Sequence, residues 1–179
     1  MTKKDQGANV AATQLDNNMA KAKPLKMGWS AQQTKEITKS LNALLANYSI
    51  HYQKLRSFHW NVKGSDFFDL HEKFELQYTE ALIHIDAIAE RIRVFGEAPL
   101  SSLEQYLDTA EIKETTSELN SDLMVREMLS DYTILIKYME DTVEISSKHA
   151  DSGTESMVKG YINKIETHHW MFSAFMARQ

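Results

Sequence analysis

Apolar residues recur every three or four positions along four long segments of the chain, with charged and polar residues between them. In the first segment the pattern begins near Ser30, where Ser30 and Gln33 can form a capping box, and it extends to Trp60. A period of about 3.6 residues is typical of an amphipathic helix with one buried face. The predicted core positions of this helix A are Ile37, Leu41, Leu44, Leu45, Tyr48, Tyr52 and Leu55.

Helix B is predicted after a turn at residues 61–65. Asp69 and Glu72 are its expected N-terminal caps, and the helix should end near Phe95, just before Gly96. Its apolar residues again follow the helical period, so one face should be buried. The predicted core positions are Phe74, Tyr78, Leu82, Ile85, Ala89 and Ile92.

The same period predicts helices C and D in the second half of the chain. Helix C should extend from about Ser121 to Lys148, and helix D should begin with a capping box of Ser152 and Glu155. The predicted core positions are Met128, Tyr132, Leu135, Met139 and Val143 in helix C, and Ile162, Ile165, Phe172 and Phe175 in helix D.

The connection between helices B and C, residues 97–120, is long and contains a predicted short helix with Ser101 and Glu104 as caps. Four helices with one apolar stripe each are best buried as an antiparallel bundle, and a long connection permits a crossover from one end to the other. The 6 glycines and 2 prolines among 179 residues also favour long helices over a loop-rich fold. We therefore predict an all-α four-helix bundle.

Charge divides the chain into two predicted parts. Residues 1–28 contain five lysines and two aspartates, whereas the rest carries −8, which gives the net charge of −5. We predict a flexible Lys-containing arm at residues 1–28 and one bundle domain at 29–179, because the arm lacks sustained periodicity. No cysteine is present, which excludes thiolate catalysis and Cys-ligated metal clusters. The sequence has neither a signal peptide nor a long apolar run, so we expect a cytoplasmic protein that does not enter membranes.

Four residues with metal-binding side chains share one face of helix B. His71 and Glu75 lie one turn apart, as do Asp86 and Glu90. At about 100° per residue, the four positions fall at roughly 0°, 40°, 60° and 100° around the helix axis. His59, near the end of helix A, should point inward near the start of helix B. Two imidazoles and three carboxylates form a ligand set that suits iron, manganese or zinc.

The separation of the two pairs decides which chains supply the ligands. Their midpoints are about fifteen residues, or roughly 22 Å, apart along a straight helix, which is too far for one metal site. Two copies of helix B that cross antiparallel near residue 80 would place the first pair of one copy beside the second pair of the other. A two-fold dimer would then contain two identical sites, each shared between subunits.

Each of these residues also has a simpler interpretation. An acidic side chain on a helix is usually a solvated surface charge, and Asp86 and Glu90 can be salt-bridge partners, Glu90 for instance with Arg91. His59 beside Trp60 can be a hydrogen-bonded core histidine.

A metal site inside a single bundle is disfavoured. Such a site would need the step Glu-x-x-His on two helices, and helix D supplies it only once, at Glu166 and His169. His168 and His169 are instead expected to pack or to form local hydrogen bonds.

Three segments of the chain carry a resemblance to a known family. They are HWNVKGSDFFDLHEKFELQY at residues 59–78, IDAIAERI at 85–92 and FGEAP at 95–99. Together they resemble the Dps family of mini-ferritins, the DNA-binding proteins from starved cells. The resemblance implies a ferritin-like four-helix bundle with a short helix in the B–C connection, assembled from two-fold dimers into a hollow homo-dodecamer.

The resemblance further implies a two-iron ferroxidase centre at each two-fold interface. His59 and His71 of one subunit, with Asp86 and Glu90 of its partner, stand at the family's ligand positions. Glu75 falls where members commonly have an acidic residue.

The resemblance also implies the reaction. Members typically oxidise Fe(II) with hydrogen peroxide and store ferric mineral in the cavity, which protects DNA during oxidative stress and starvation. Trp60 matches an aromatic residue beside the centre that can intercept stray oxidising equivalents, although plain packing also explains it. Iron entry through acidic three-fold pores would involve Asp151 and Glu155, although acids at a helix N-terminus also stabilise the helix dipole.

DNA binding is the second activity that the resemblance raises. Many members bind DNA without sequence preference through Lys-rich arms, and here the candidate contacts are Lys3, Lys4, Lys21, Lys23 and Lys26. An acidic shell would oppose this binding, and the arm also fits a solubilising tail. The alternative function is therefore a DNA-compacting, nucleoid-associated protein with weak or vestigial ferroxidase activity.

Overall fold

The computed structural model describes residues 28–116 and 118–177, and the regular secondary structure in these ranges is entirely helical. The predicted arm lies outside the described residues except for its last residue, Gly28. The helices are α1 at Ala31–Asn61, α2 at Phe67–Val94, α3 at Leu103–Thr109, α4 at Ser121–Lys148 and α5 at Ser152–Met176. Helices α1, α2, α4 and α5 correspond to the predicted helices A to D, so the all-α prediction is confirmed.

Side-chain bonds between the helices define the topology. Helix α1 runs antiparallel to α2 and α4, whereas α2 and α4 run parallel to each other. The connection between α2 and α4 must therefore cross from one end of the bundle to the other. Asn42 and Asn47 of α1 fix this crossover, because their side-chain oxygens accept hydrogen bonds from the backbone N–H groups of Leu100, Glu111 and Ile112.

Several local predictions are confirmed. Ser30 caps α1, and Ser30 and Gln33 form the complete capping box. Helix α4 has the predicted bounds. The predicted core residues of α4 with no exposed surface are Met128, Tyr132, Leu135 and Met139. Four other predicted core residues are only half-buried and pack against the edge of the core: Tyr52, Val143, Ile162 and Phe175.

The predicted start of α2 is wrong by two residues. The helix begins at Phe67, so Asp69 and Glu72 lie inside it and are not its caps. Asp66 occupies the N-cap position, and its carboxylate accepts a hydrogen bond of 3.2 Å from the Ser121 hydroxyl of α4. The start of α2 is therefore fixed by a contact with another helix, which local sequence does not reveal.

Two other predicted caps are each wrong by one residue. The capping box of α3 consists of Ser102 and Gln105 rather than Ser101 and Glu104. Asp151, rather than Ser152, caps α5 by accepting a hydrogen bond from the Thr154 backbone N–H. In both places neighbouring residues offer equivalent capping groups, and the backbone geometry selects one.

The predicted core stripe of α2 has the wrong phase. Of its six residues, only Phe74 and Ile92 are fully buried, while Leu82 is 50% exposed and the other three are half-buried. Apolar residues occupy two neighbouring stripes of this helix, and only one of them faces the bundle. The buried residues of α2 are Leu70, Phe74, Gln77, Ala81, His84, Ile88 and Ile92.

Among the described helices, none is both long and apolar enough to span a bilayer.

Candidate metal centre

His59 and His71 bind each other's backbone at the end of the bundle where α1 passes into α2. The carbonyl of His59 lies in the last turn of α1, where carbonyl groups lack a partner within the helix. The Nδ1 atom of His71 lies 2.8 Å from this oxygen, and the Nδ1 atom of His59 lies 2.8 Å from the carbonyl oxygen of His71. A carbonyl only accepts, so each Nδ1 must carry the hydrogen and donate it.

This reciprocal pairing determines which nitrogen atoms remain for a ligand. The two rings stack with centroids 3.8 Å apart and planes inclined by 21°. With Nδ1 protonated, the Nε2 atom of each neutral ring keeps its lone pair, which is the form that binds a metal. A histidine ligand normally donates its second ring N–H to a carbonyl or carboxylate, and both histidines already do so.

The acidic candidates lie on the outer surface of α2. Glu75, Asp86 and Glu90 are all exposed, as expected for residues on one stripe outside the core. Glu75 lies beside Tyr78, where partial burial and then the carboxylate charge raise the pKa of the Tyr78 hydroxyl. Within the described ranges of one chain, no three His, Asp or Glu side chains are arranged to hold a metal ion. The shared site therefore stays a prediction.

An apolar surface adjoins these residues. Leu82 is 50% and Ile83 64% exposed on α2, and Leu103 of α3 is 78% exposed. Between α1, α2 and α3 lies a groove of about 480 Å³, whose lining includes Tyr52, Arg56, Leu82, Ile85, Leu103 and Leu107. Contiguous exposed apolar side chains of this kind mark an interaction surface.

Trp60 lies on the outside of α1, with 58% of its surface exposed. The guanidinium of Arg56, one turn earlier, lies 4.7 Å from the centre of its ring. The side chain therefore does not belong to the core of one chain. Its predicted role beside a metal centre remains a prediction.

The two candidate pore residues have different environments. Asp151 has no exposed surface and is paired with Arg91 of α2. A side chain without exposed surface contacts no water-filled channel in this conformation, so Asp151 holds α2 and α5 together. Glu155 is half-buried and forms an ion pair of 2.5 Å with Lys159. It lines a surface depression whose other charged residues are Glu140, Asp141, Glu144, Lys148 and Lys159.

The interior of the bundle contains a polar network that the sequence interpretation missed. Asp131 of α4 is 2% exposed and accepts hydrogen bonds from Lys54 Nζ at 2.7 Å and from His51 Nδ1 at 3.0 Å. Lys54 also reaches Glu127 at 2.8 Å. The sequence did contain an indication of this network, because His51 and Lys54 fall at helical spacing among the apolar residues of α1.

A second, partly exposed polar group joins α2 to α5. Of the two expectations for His168, packing is met and a local bond is not: its ring centroid lies 6.4 Å from that of Tyr132, and its hydrogen bond of 2.6 Å is to Glu80 of α2. His169 does have a local partner, Ser173, at 3.5 Å. His84 lies between Tyr48 and the ring of Tyr161, and burial lowers its pKa to about 4, which keeps the ring neutral.

The sequence matches one described family over most of its length. The family described as Ferritin-like domain matches residues 38–178. The chain is 37% identical to DNA protection during starvation protein 2 of Bacillus anthracis, over 79% of this chain and 97% of that relative.

Solved structures show the same likeness. A Dps protein from Vibrio cholerae O1, described as a member of a broad superfamily of ferritin-like diiron-carboxylate proteins, superposes with a TM-score of 0.82 at 34% identity. The match covers 85% of this chain and 97% of that one. A Dps protein from Bacillus brevis gives a TM-score of 0.80 at 36% identity, over 83% of this chain and 99% of that one.

Proposed function

The chain belongs to the Dps family of ferritin-like proteins, and on this premise we propose that it is a ferroxidase that stores iron. Its substrates are Fe(II) and, as the preferred oxidant, hydrogen peroxide. Twelve copies built from two-fold dimers enclose the ferric mineral, and this removal of iron and peroxide protects DNA in the cytoplasm during starvation and oxidative stress.

The observation that carries the proposal is the pairing of His59 with His71. Two stacked imidazoles with both Nδ1 atoms engaged by carbonyl groups leave two Nε2 atoms as the ring nitrogens for a metal. Such nitrogen ligands combined with carboxylates suit iron. Asp86 and Glu90 of a partner subunit, with Glu75 of the same subunit, supply those carboxylates in the proposed site.

The exposed apolar face of α2 supports the two-fold dimer. Leu82 and Ile83 lie between the histidine end and the acidic end of the helix and are at least half exposed in the single chain. A two-fold contact through this face buries them, and it places each acidic end beside the histidines of the other copy. Hydrophobic burial and site assembly then depend on the same interface.

The reaction requires two electrons for each peroxide. Two Fe(II), one H2O2 and two water molecules give two FeOOH units and four protons. Because paired irons supply both electrons together, release of a hydroxyl radical by one-electron reduction is suppressed. The carboxylates favour Fe(III) over Fe(II) by charge, and the neutral histidines keep the affinity for Fe(II) modest. Acidic residues around Glu155 are the proposed entry route for the cation.

Measurements of mass and iron oxidation on one preparation test the proposal. We expect a particle of about twelve times the 20.6 kDa chain mass, which oxidises two Fe(II) per peroxide and becomes loaded with mineral. Peroxide should act faster than dioxygen. A monomeric protein, or Fe(II) oxidation no faster than in protein-free buffer, would contradict the proposal.

Sequence-independent DNA binding is a second proposed activity, supported by the lysines of the arm. These five lysines are the candidate phosphate contacts, and twelve arms on one particle would add avidity to a weak single contact. This activity is the main one in the alternative function, a compacting protein with a vestigial iron site.

Deletion of residues 1–26 is expected to abolish the retardation of DNA in a gel while leaving Fe(II) oxidation unchanged. The lysines release counterions from DNA, so the retardation by the full chain should also weaken steeply as salt is raised. A full-length variant with the five lysines changed to glutamine is the matched control for arm length. Undiminished retardation by both variants would assign DNA binding to another surface.

A further inference from the structure

The two histidines lie in the middle of a series of four aromatic rings in contact, of which three are stacked. Phe67, the first residue of α2, lies parallel to His71, with centroids 4.9 Å apart and planes inclined by 25°. The ring of Tyr78 lies 5.4 Å from that of His59, with the two planes inclined by 79°. The ring contacts therefore run in the order Phe67, His71, His59, Tyr78, and each imidazole has one aromatic neighbour besides the other histidine.

The position of Phe67 is set by the helix. Residues four positions apart lie on the same side of an α-helix, so Phe67 stands directly before His71, and Tyr78 lies two turns after it. Phe67 is half-buried and packs against the core, which anchors the stack to the bundle. The neighbouring Phe68 is 82% exposed, and its ring lies 5.2 Å from that of Phe67 with the planes inclined by 79°.

The reciprocal hydrogen bonds depend on both rings together. If His71 rotates away, its Nδ1 leaves the carbonyl of His59, and His59 loses the stacked ring that covers one of its faces. His71 is the less protected of the two, because it is half-buried whereas His59 is 8% exposed. A side chain that blocks the rotation of His71 therefore stabilises the whole pair.

We infer that Phe67 and Tyr78 are positioning residues that hold His59 and His71 in the Nδ1–H tautomer, with both Nε2 atoms presented before iron arrives. This inference rests on the proposed function for the identity of the metal. The pre-organisation itself is a property of the metal-free chain. Binding of iron then requires no rearrangement of the two rings, which lowers the cost of forming the site.

Replacement of Phe67 by leucine tests the inference. Leucine keeps the apolar contact with the core but removes the flat surface that lies against His71. We expect Zn²⁺ affinity, measured by calorimetry on the assembled particle, to fall about 10-fold, as is usual when a partner of a metal ligand is lost. The KM for Fe(II) should rise by a similar factor, whereas kcat at saturating Fe(II) should change little. Phe68→Leu is the matched control, and Phe67→Tyr, which keeps the ring, should restore wild-type values.

Solid-state NMR of the metal-free particle labelled with ¹⁵N-histidine provides a readout that does not depend on iron. Wild type should show both histidines as the single Nδ1–H tautomer, whereas Phe67→Leu and Tyr78→Leu should show mixed tautomers for the pair. Unchanged tautomers together with unchanged Zn²⁺ affinity in Phe67→Leu would overturn the inference. Failure of the wild-type particle to oxidise Fe(II) would instead contradict the proposed function, while the NMR result would still decide the role of Phe67.

Discussion

Replacing both His59 and Asp86 by alanine is expected to slow Fe(II) oxidation by about 100-fold or more while the particle remains assembled. Loss of a residue that merely supports a metal ligand already costs 10- to 100-fold, and this variant removes one proposed ligand from each side of the interface. Stopped-flow absorbance of ferric product measures the rate, and light scattering measures the particle mass. Wild-type kinetics in an assembled double variant would reject the assignment of the site.

Mixing the two single variants shows whether the site is shared. His59→Ala subunits and Asp86→Ala subunits should each oxidise Fe(II) much more slowly than wild type when expressed alone. After co-expression, half of the random dimers are mixed, and each mixed dimer has one site with both ligands intact. The mixed particles should therefore recover about one quarter of the wild-type activity. No recovery in mixed particles would place both residues in one chain's site.

Replacing Asp131 by alanine is expected to destabilise the chain by about 3–5 kcal/mol, because it leaves the buried Lys54 and His51 without their shared acceptor. Lys54 is 5% and His51 2% exposed, so both side chains are enclosed by the bundle. Urea denaturation followed by circular dichroism at matched protein concentration measures the effect, since the midpoint of an assembling protein depends on its concentration.

Glu127→Ala is the matched control for the loss of Asp131. Glu127 also accepts from Lys54 but its side chain is 41% exposed, so its removal should cost less than about 1 kcal/mol. Equal destabilisation by the two variants would show that the burial of Asp131 adds nothing to the free energy of unfolding. The contrast therefore isolates the effect of the buried carboxylate.

The same interior network bears on where the metal binds. Lys54 and His51 already engage the oxygens of Asp131, and His168 engages Glu80. The buried ammonium group of Lys54 neutralises the Asp131 carboxylate and repels a cation in the low dielectric of the interior. The chain thus uses its interior charges for stability, which agrees with a metal site at the surface of α2.

The sequence predicted the elements of the site more fully than their mutual arrangement. The position of His59 near the chain reversal indicated its closeness to His71, which the structure has, whereas the part of Glu75, Asp86 and Glu90 in the same site stays a prediction. The mutual bonds between His59 and His71 were not predictable, because they depend on how the carbonyl groups at the end of α1 face the second turn of α2. The stacking of Phe67 on His71 was not predicted either, although the spacing of four residues places both on the same side of α2.

The four long helices, the capping box at Ser30 and the bounds of α4 were determined by the sequence itself. These features depend on contacts within a few residues, where apolar period and capping groups are decisive. Only the tertiary structure decided which apolar stripe of α2 faces the core. The sequence has apolar residues on both stripes, Ala81 and Ile88 on one and Leu82 and Ile85 on the next, so the helical period alone does not distinguish them. Burial is a property of the neighbouring helices, and the polar partners of His51, Glu80 and Asp131 lie far away along the chain.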